Sequence, residues 1–197
     1  MRNIQDYYFK KAKKERYPAR SVYKLEEIDT KYRIVRRGFH ILDIGCAPGS
    51  WSKYLLKKIG YGKITGIDIV NSVKISDKRF TFLQNDILHP DKDFLRNNLH
   101  TFDLIISDAS PSTTGNPFVD SQSSLAIVKG VFRVAEKILK SHGTVIAKIF
   151  QGEDVIMFLK ELKKDYEKIN VFKPKSSRKE SREVFIIAQD RREVSDS

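Results

Sequence analysis

The sequence predicts an α/β fold in which helices cover both faces of a mainly parallel sheet. From residue 39 onward, short apolar runs alternate with segments whose apolar residues have helical spacing, and this alternation is typical of a parallel sheet. The last two apolar runs, at 168–174 and 182–190, are separated by a polar loop and not by a helix. We therefore expect these two strands to form an antiparallel pair at one edge of the sheet.

Each element follows from the local pattern of residues. The first 30 residues favour helix, because Val22, Leu25 and Ile28 recur at helical spacing and Pro18 lies near the start of their segment. The other helices are predicted at 48–59, 123–140 and 153–166. The strands are predicted at 39–46, 63–70, 80–88, 101–111, 143–152, 168–174 and 182–190. The polar segment 110–120 contains Gly and Pro and is a candidate mobile substrate loop.

Composition limits the class of protein. The chain has 197 residues, enough for one domain with a sizeable core. Cys46 is the only cysteine, which excludes an intrachain disulfide, and the four histidines lack metal-ligand spacing, so we expect no metal site. No apolar run approaches the roughly 20 residues that cross a bilayer, and the N-terminus lacks a secretory apolar core. We expect a cytoplasmic protein that does not bind membranes.

The formal net charge of +12 favours a nucleic-acid or anionic-surface partner, although a solvated lysine-rich surface gives the same charge. One basic cluster comprises Lys10, Lys11, Lys13, Lys14 and Arg16, interleaved with Tyr7, Tyr8, Phe9 and Tyr17. A second comprises Lys173, Lys175, Arg178, Lys179 and Arg182. Both could contact RNA phosphates, with bases stacking on the N-terminal aromatic rings. Both could equally be solvated charge, with those rings docked on the core.

A glycine-containing loop follows the first strand and precedes a helix, which is where α/β sheets bind their ligands. The loop includes Gly45, Pro48 and Gly49 and begins just after Asp43. Its glycines allow the backbone to approach a ligand closely. The loop does not match G-x-G-x-x-G, so a dinucleotide site is disfavoured, and it does not match the P-loop pattern either.

Two acidic residues close the next two strands. Asp68 ends the second strand about twenty residues beyond the loop, where an acidic residue usually binds ribose hydroxyls, and Asp86 ends the third. Any one of these residues alone is more often part of a strand–helix turn. In this order they favour a nucleoside that carries little negative charge, such as S-adenosylmethionine.

Lys148 stands inside the apolar run VIAKIFQG. Lysine is rarely buried without a partner, so its side chain either extends past the strand end to water or belongs to a site. If the strands that end near Asp108 and Lys148 are neighbours, both side chains reach the ligand crevice. An antiparallel last strand would return Glu183 to the same edge. Lys24 would join them only if the N-terminal helix folds over the site.

Several segments together resemble the FtsJ/RrmJ family of RNA ribose 2′-O-methyltransferases. They are DIGCAPGSW, SDASP, AKIFQG, SSRKESREVFIIA and the N-terminal YPARSVYKL, in the family's order over nearly the whole chain. The resemblance implies a Rossmann-like S-adenosylmethionine-dependent methyltransferase fold, with a seven-stranded sheet whose last strand is antiparallel. The expected organisation is a single domain, 1–197, with a helical substrate-binding segment at 1–36 and the core at 37–190.

The resemblance also implies the site residues. The catalytic tetrad would be Lys24, Asp108, Lys148 and Glu183. In our interpretation, Lys148 accepts a proton or stabilises an alkoxide, and the other three residues orient groups and tune the charge. S-adenosylmethionine would be bound by Gly49, Trp51, Asp68, Asp86 and Asp108, with Asp43, Gly45 and Pro48 from the loop. The sequence departs from the family at Cys46 and Ser50. We expect a slightly different backbone approach at Ser50 but no loss of cofactor binding.

The function that follows is methylation of a ribose 2′-hydroxyl in RNA. A uridine of large-subunit rRNA is favoured as the target because the chain is compact, and the tRNA anticodon loop is an alternative. A small-molecule or protein methyltransferase would not need the basic clusters. A non-catalytic RNA-binding ribosome-assembly factor would not need the tetrad. We expect a monomer whose partner is large-subunit rRNA or the large ribosomal subunit.

Overall fold

The computed structural model describes residues 4–193, which form six helices and seven strands. The helices are α1 (Ile4–Lys14), α2 (Val22–Tyr32), α3 (Ser50–Lys58), α4 (Lys92–Asn97), α5 (Pro117–Ile138) and α6 (Glu153–Leu162). The strands are β1 (His40–Ile44), β2 (Lys63–Asp68), β3 (Phe80–Gln84), β4 (Phe102–Ser107), β5 (Leu139–Phe150), β6 (Tyr166–Phe172) and β7 (Glu183–Arg191). None of these helices is both long and apolar enough to cross a membrane.

The seven strands form one sheet with the order β3-β2-β1-β4-β5-β7-β6. The pairs from β3 to β5 are all parallel. β7 lies between β5 and β6 and is antiparallel to both. The predicted fold class, including the antiparallel last strand, is confirmed. From β1 the chain proceeds outward to β2 and β3, and it then crosses back to add β4 on the other side of β1. Such sheets bind ligands beside this point, at the carboxyl ends of the strands.

Helices cover both faces of the sheet, so the central strands are buried on both sides. On one face, α5 and α6 pack on the sheet, with Val131 of α5 in this core. On the other face, α2 and α3 pack through Leu25 and Leu55. Alternate residues of β1 supply the two cores, with Leu42 in the first and Ile41 in the second. This alternation follows from the two-residue period of a strand.

The N-terminal helical region consists of two helices separated by a turn at residues 15–21. This turn is tied to the start of α3. The Ala19 N–H donates to Ser50 Oγ at 2.7 Å, and the Trp51 indole N–H donates to the Ser21 carbonyl at 2.9 Å. These bonds fix the N-terminal end of α2 near the loop that follows β1.

Two helices, α5 and α4, differ from the prediction, and side-chain caps explain where each begins. Asn116 accepts hydrogen bonds from two backbone N–H groups of the first turn of α5, at 3.0 and 3.3 Å, and Pro117 suits the first helical position. The predicted mobile loop at 110–120 therefore ends in helix. Asp91 caps α4, a helix that the sequence patterns did not predict, in the same way, at 2.7 and 3.2 Å.

Leu25 tests the packing of α2 on the sheet. Its side chain is fully buried, so Leu25→Ala should leave a cavity and lower the free energy of unfolding by about 2–5 kcal/mol. Urea denaturation followed by circular dichroism measures the change. Leu99, which is exposed, provides the control, since Leu99→Ala should change the same quantity by less than about 0.5 kcal/mol. Equal effects of the two substitutions would contradict the packing of α2.

Candidate active site

A cavity of about 660 Å³ opens at the carboxyl ends of β1, β2 and β4, a volume typical of small-ligand sites. Three carboxyl groups, those of Asp68, Asp86 and Asp108, lie on its wall beside Gly45. Much of the remaining wall is apolar and includes Ile67, Ile69, Ile87, Leu88, Ala126 and Ile127. The cavity therefore combines a surface suited to a flat apolar group with several hydrogen-bond acceptors.

The loop between β1 and α3 brings backbone to the edge of this cavity. Gly45 has a φ of 72°, in the left-handed region that glycine adopts at little cost. A Cβ at this position would lie only 2.8 Å from the Cα of Ala109. A larger residue would therefore push apart the two loops that follow β1 and β4.

Asp68 and Asp86 are oriented by neighbouring backbone groups. Asp68 accepts hydrogen bonds from the N–H groups of Ala47 and Val70, both at 2.9 Å. It thereby ties the end of β2 to the loop that follows β1. Asp86 accepts a hydrogen bond from the N–H of Leu88 at 2.9 Å, and this bond, together with the nearby imidazole of His89, lowers the pKa of Asp86. Both carboxyl groups are therefore acceptors with a fixed direction.

Asp43 belongs to β1, and its side chain is buried against α3 and does not line the cavity. It is 1% exposed and accepts a 2.6 Å hydrogen bond from the Ser52 hydroxyl. Burial raises the pKa of Asp43 to about 7; the bond from Ser52 opposes this shift, and the carboxylates of Asp108 and Asp68 add to it. The observed contact of Asp43 is thus a structural one, which ties the end of β1 to α3.

Pro48, Gly49 and Trp51 also lie outside the lining of the cavity. The Trp51 indole is 3% exposed, and its ring centroid lies 5.8 Å from that of Phe185. Together with its bond to Ser21, this position makes the indole a link between the N-terminal turn and the sheet. A cofactor contact from these three residues therefore stays a prediction, and for Trp51 it would have to come from the backbone.

Helix α5 supplies one side of the cavity, and no sequence pattern predicted this role. Ser123, Ala126 and Ile127 of this helix line the cavity. Their spacing of three and four residues places them on one face of the helix. The same spacing is typical of residues that pack on a core, so the sequence alone does not separate a cavity wall from a packing face.

The four predicted catalytic side chains converge at the carboxyl ends of β4 and β5. Lys24 Nζ lies 2.7 Å from Glu183 Oε1 and 3.9 Å from Asp108 Oδ1. Lys148 Nζ lies 3.0 Å from Asp108 Oδ1 and donates to the backbone carbonyl of Asp108 at 2.6 Å. These contacts form one network. It contains two lysines, from α2 and β5, and two carboxyl groups, from β7 and the end of β4.

The Lys148 side chain lies inside this network and does not extend past the strand to water, since it is only 8% exposed. Burial alone would raise the pKa of Glu183. Lys24, the nearby Ser177 hydroxyl and Lys148 outweigh that effect and hold the pKa of Glu183 below its usual value. Within residues 4–193, the buried Oδ1 of Asp108 receives no well-directed hydrogen bond. Its 3.0 Å contact with Lys148 Nζ is therefore an ion pair.

The basic loop between β6 and β7 is fixed against α2 beside the network. Glu27 of α2 accepts hydrogen bonds from the backbone N–H groups of Lys175 and Ser176, at 2.6 and 2.9 Å. Ser177, the next residue of the loop, faces Glu183. These contacts place the second basic cluster close to the four catalytic candidates.

Known proteins are similar to this chain in sequence and in fold. Residues 17–191 match the family of FtsJ-like methyltransferases. The chain belongs to this family. A protein of Brachyspira hyodysenteriae named ribosomal RNA large subunit methyltransferase E is 42% identical over 191 residues, which cover 96% of this chain and 97% of that protein. A protein of the same name from Desulfotalea psychrophila is 44% identical over 192 residues, which cover 95% and 96%.

A solved structure agrees with this assignment. The crystal structure of a candidate ribosomal RNA methyltransferase from Plasmodium falciparum superposes with a TM-score of 0.78 at 28% identity, covering 89% of this chain and 98% of that one. The family membership expected from the sequence motifs is confirmed. This FtsJ-like protein is a methyltransferase, and its reaction requires a methyl donor.

The raised pKa of Asp43 predicts how stability depends on pH. The folded state holds the proton of Asp43 up to about pH 7, whereas the unfolded state releases it near pH 3.8. The tighter binding of this proton in the folded state therefore stabilises the fold. The stabilisation is complete below the unfolded pKa of 3.8 and is lost as the pH rises through the folded pKa of about 7. Because asparagine does not titrate, the free energy of unfolding of Asp43→Asn should rise relative to that of wild type between these two pH values. The difference should grow by about 1.4 kcal/mol for each pH unit and stay constant at higher pH.

Urea denaturation of the wild type and of Asp43→Asn across this pH range measures the difference. The Asn side chain can still accept the hydrogen bond from Ser52, so the comparison isolates the titration. Curves that stay parallel at every pH would contradict the buried, proton-holding state of Asp43.

Proposed function

We propose that this FtsJ-like methyltransferase transfers a methyl group from S-adenosylmethionine to a ribose 2′-hydroxyl in RNA. One observation carries the proposal: Asp108 both lines the 660 Å³ cavity and belongs to the network of Lys24, Lys148 and Glu183. A methyl donor in the cavity and a hydroxyl at the network would therefore meet at this carboxyl group. In-line displacement needs this kind of alignment between nucleophile and electrophile.

The residues of the cavity fit S-adenosylmethionine. Its apolar wall suits an adenine ring, and the oriented carboxyl groups of Asp68 and Asp86 suit ribose hydroxyls and an amino group. Among the described residues, no lysine or arginine lines the cavity, which suits a donor without phosphate groups. The carboxylate of Asp108 on the cavity wall suits a positively charged centre.

The bound donor would supply an electrophilic methyl group on a sulfonium. The protein's own residues would orient the ribose and assist the loss of its proton. Lys148 Nζ would act in one of two ways: as a neutral amine it takes the proton of the 2′-hydroxyl, or as an ammonium it stabilises the developing alkoxide while the proton passes to water. Asp108 holds Lys148 in place, and Lys24 with Glu183 forms the wall against which the ribose is positioned. The network is nearly buried, so its charges are only weakly screened by water.

Large-subunit rRNA is the proposed substrate, with a uridine as the target nucleotide. The support comes from the names of the two curated relatives and from their coverage of 95% or more of this chain. The net charge of +12 agrees with an RNA substrate. We also propose that residues 1–36 form the RNA-binding segment of a single domain, because α2 carries Lys24 into the network. These relatives do not favour a tRNA target or a non-catalytic role.

Lys148→Met tests the reaction, since it keeps the length of the side chain and removes the ammonium. The substitution should lower the rate of single-turnover methylation of unmodified large ribosomal subunits by about 10²–10⁴-fold. The assay uses labelled S-adenosylmethionine and identifies the product nucleoside by mass spectrometry. Wild type should yield a 2′-O-methylnucleoside.

Lys140 offers a matched control on the same strand. It pairs with Asp103 at the opposite end of β5, so Lys140→Met should keep the wild-type rate. A base-methylated product would overturn the proposed reaction, and a wild-type rate for Lys148→Met would overturn the role of Lys148.

Asp68→Asn tests the donor site. The carboxylate accepts two backbone hydrogen bonds on separate oxygens, whereas an amide offers only one acceptor oxygen. We expect the loop after β1 to loosen and the Kd for S-adenosylmethionine to rise about tenfold or more, as measured by isothermal titration calorimetry. Asp165, which is exposed on the α6–β6 connection, is the control, and Asp165→Asn should keep the wild-type Kd. An unchanged Kd for Asp68→Asn would remove Asp68 from the donor site.

A further inference from the structure

We propose that a groove between α1, α2 and β6 binds an unpaired nucleotide of the RNA that flanks the methylated one. This inference rests on the proposed function and concerns a second site, because the groove shares no lining residue with the donor cavity. The groove has a volume of about 540 Å³, which is enough for a nucleotide-sized ligand.

Three tyrosines form a continuous aromatic wall in the groove. The rings of Tyr7 and Tyr8 are 5.3 Å apart and nearly perpendicular, and those of Tyr8 and Tyr23 are 5.2 Å apart and tilted by 37°. Tyr23 is fully buried, Tyr8 is half-buried and Tyr7 is 61% exposed. The wall therefore leads from the core out to an aromatic ring in water, and such a ring can stack on any nucleobase.

The charges around this wall leave a local positive excess. Of the two acidic residues in the groove, Glu26 pairs with Lys11 at 3.5 Å, and Glu27 is engaged by two backbone N–H groups. Lys31 lies over the ring of Phe172 rather than beside a carboxylate. In the part of the chain that the structure describes, neither Lys31 nor Lys175 forms an ion pair. Two ammonium groups without a carboxylate partner, next to a wall of tyrosine rings, match the phosphate and the base of a nucleotide.

In two segments of the chain, a residue of the groove is followed closely by a residue that contacts Glu183. On α2, the groove residue Tyr23 is next to Lys24, which contacts Glu183. On the β6–β7 loop, Lys175 lies two residues before Ser177, which faces Glu183. An RNA strand whose ribose reaches the network can therefore place a neighbouring nucleotide in the groove.

Burial of the network supplies the reason for such a site. Lys24 and Glu183 are each only 12% exposed, and Lys148 is still less exposed. A ribose must leave a stacked helix to reach these groups, so the nucleotides beside it lose part of their base stacking. Aromatic side chains can replace the stacking that is lost. The tyrosine wall is placed to do this for one flanking base.

The test uses the whole protein and a short fluorescent single-stranded RNA, whose Kd is measured by fluorescence anisotropy. Tyr7→Ala should raise this Kd by about 5- to 150-fold, as expected for the loss of one base stack, while Tyr7→Phe should keep it. The double variant Lys31→Ala/Lys175→Ala should lower the slope of log Kd against log salt by about 1.4. Tyr7→Ala and Lys31→Ala/Lys175→Ala should also raise the KM for unmodified large ribosomal subunits, whereas Tyr7→Phe should not.

Matched controls lie at the amino ends of the parallel strands, away from the catalytic network. Tyr61 is 77% exposed in the α3–β2 connection, and Lys137 is exposed at the end of α5. Tyr61→Ala and Lys137→Ala should keep the wild-type Kd and KM. Thermal unfolding verifies that each variant is folded. If Tyr7→Ala detaches α1 from the rest of the protein, the double lysine variant still tests the groove.

The outcomes separate the groove from the proposed function. If wild type methylates RNA and all groove variants retain its Kd and KM, the groove assignment is wrong and the proposed function stands. If RNA binding depends on Tyr7 and Lys31 but no ribose is methylated, the groove is supported and the proposed reaction fails. If wild type neither binds nor methylates RNA, both fail.

Discussion

Burial of the Lys148 ammonium is the constraint on which the rest of the site depends. A buried charge is costly unless it is paired and hydrogen-bonded, and Asp108 supplies a carboxyl oxygen at 3.0 Å and a carbonyl oxygen at 2.6 Å. This pairing requires that β4 and β5 be parallel neighbours in a particular register. Ser107 is paired with Ala147, so the residues that follow them, Asp108 and Lys148, lie side by side. The order of the strands and the chemistry of the site are therefore linked.

A second pair completes the network from two other directions. Because β7 is antiparallel to β5, its first residue, Glu183, lies at the edge where β5 ends. Lys24 comes from α2, whose position is fixed by the contact of Trp51 with Ser21. The completed network contains two cations and two carboxyl groups, and this balance of charge makes its burial tolerable. The Lys24–Glu183 pair requires α2, whereas the sheet alone forms the Lys148–Asp108 pair.

The two proposed binding regions differ in charge as their ligands do. The donor cavity is lined by carboxyl groups and, within the described residues, by no lysine or arginine, which suits a cationic sulfonium. The groove beside α2 carries two free lysines, Lys31 and Lys175, which suit an anionic RNA backbone. Because salt screens interactions between exposed charges beyond about 10 Å, each region can favour its own ligand.

The sequence by itself determined the alternation of strands and helices, the antiparallel end of the sheet and the family, because these depend on local periodicity and on short motifs. It also singled out Lys148 and Asp108, since a lysine in an apolar strand needs a partner. Only the tertiary structure decided that the Trp51 indole holds the N-terminal turn, that α5 forms a wall of the cavity and that the tyrosines of α1 and α2 share a groove. Local patterns do not contain this information, because a packing face and a binding face have the same helical spacing. Contacts such as that of Lys24 with Glu183 join opposite ends of the chain, so they exist only once the sheet has brought those ends together.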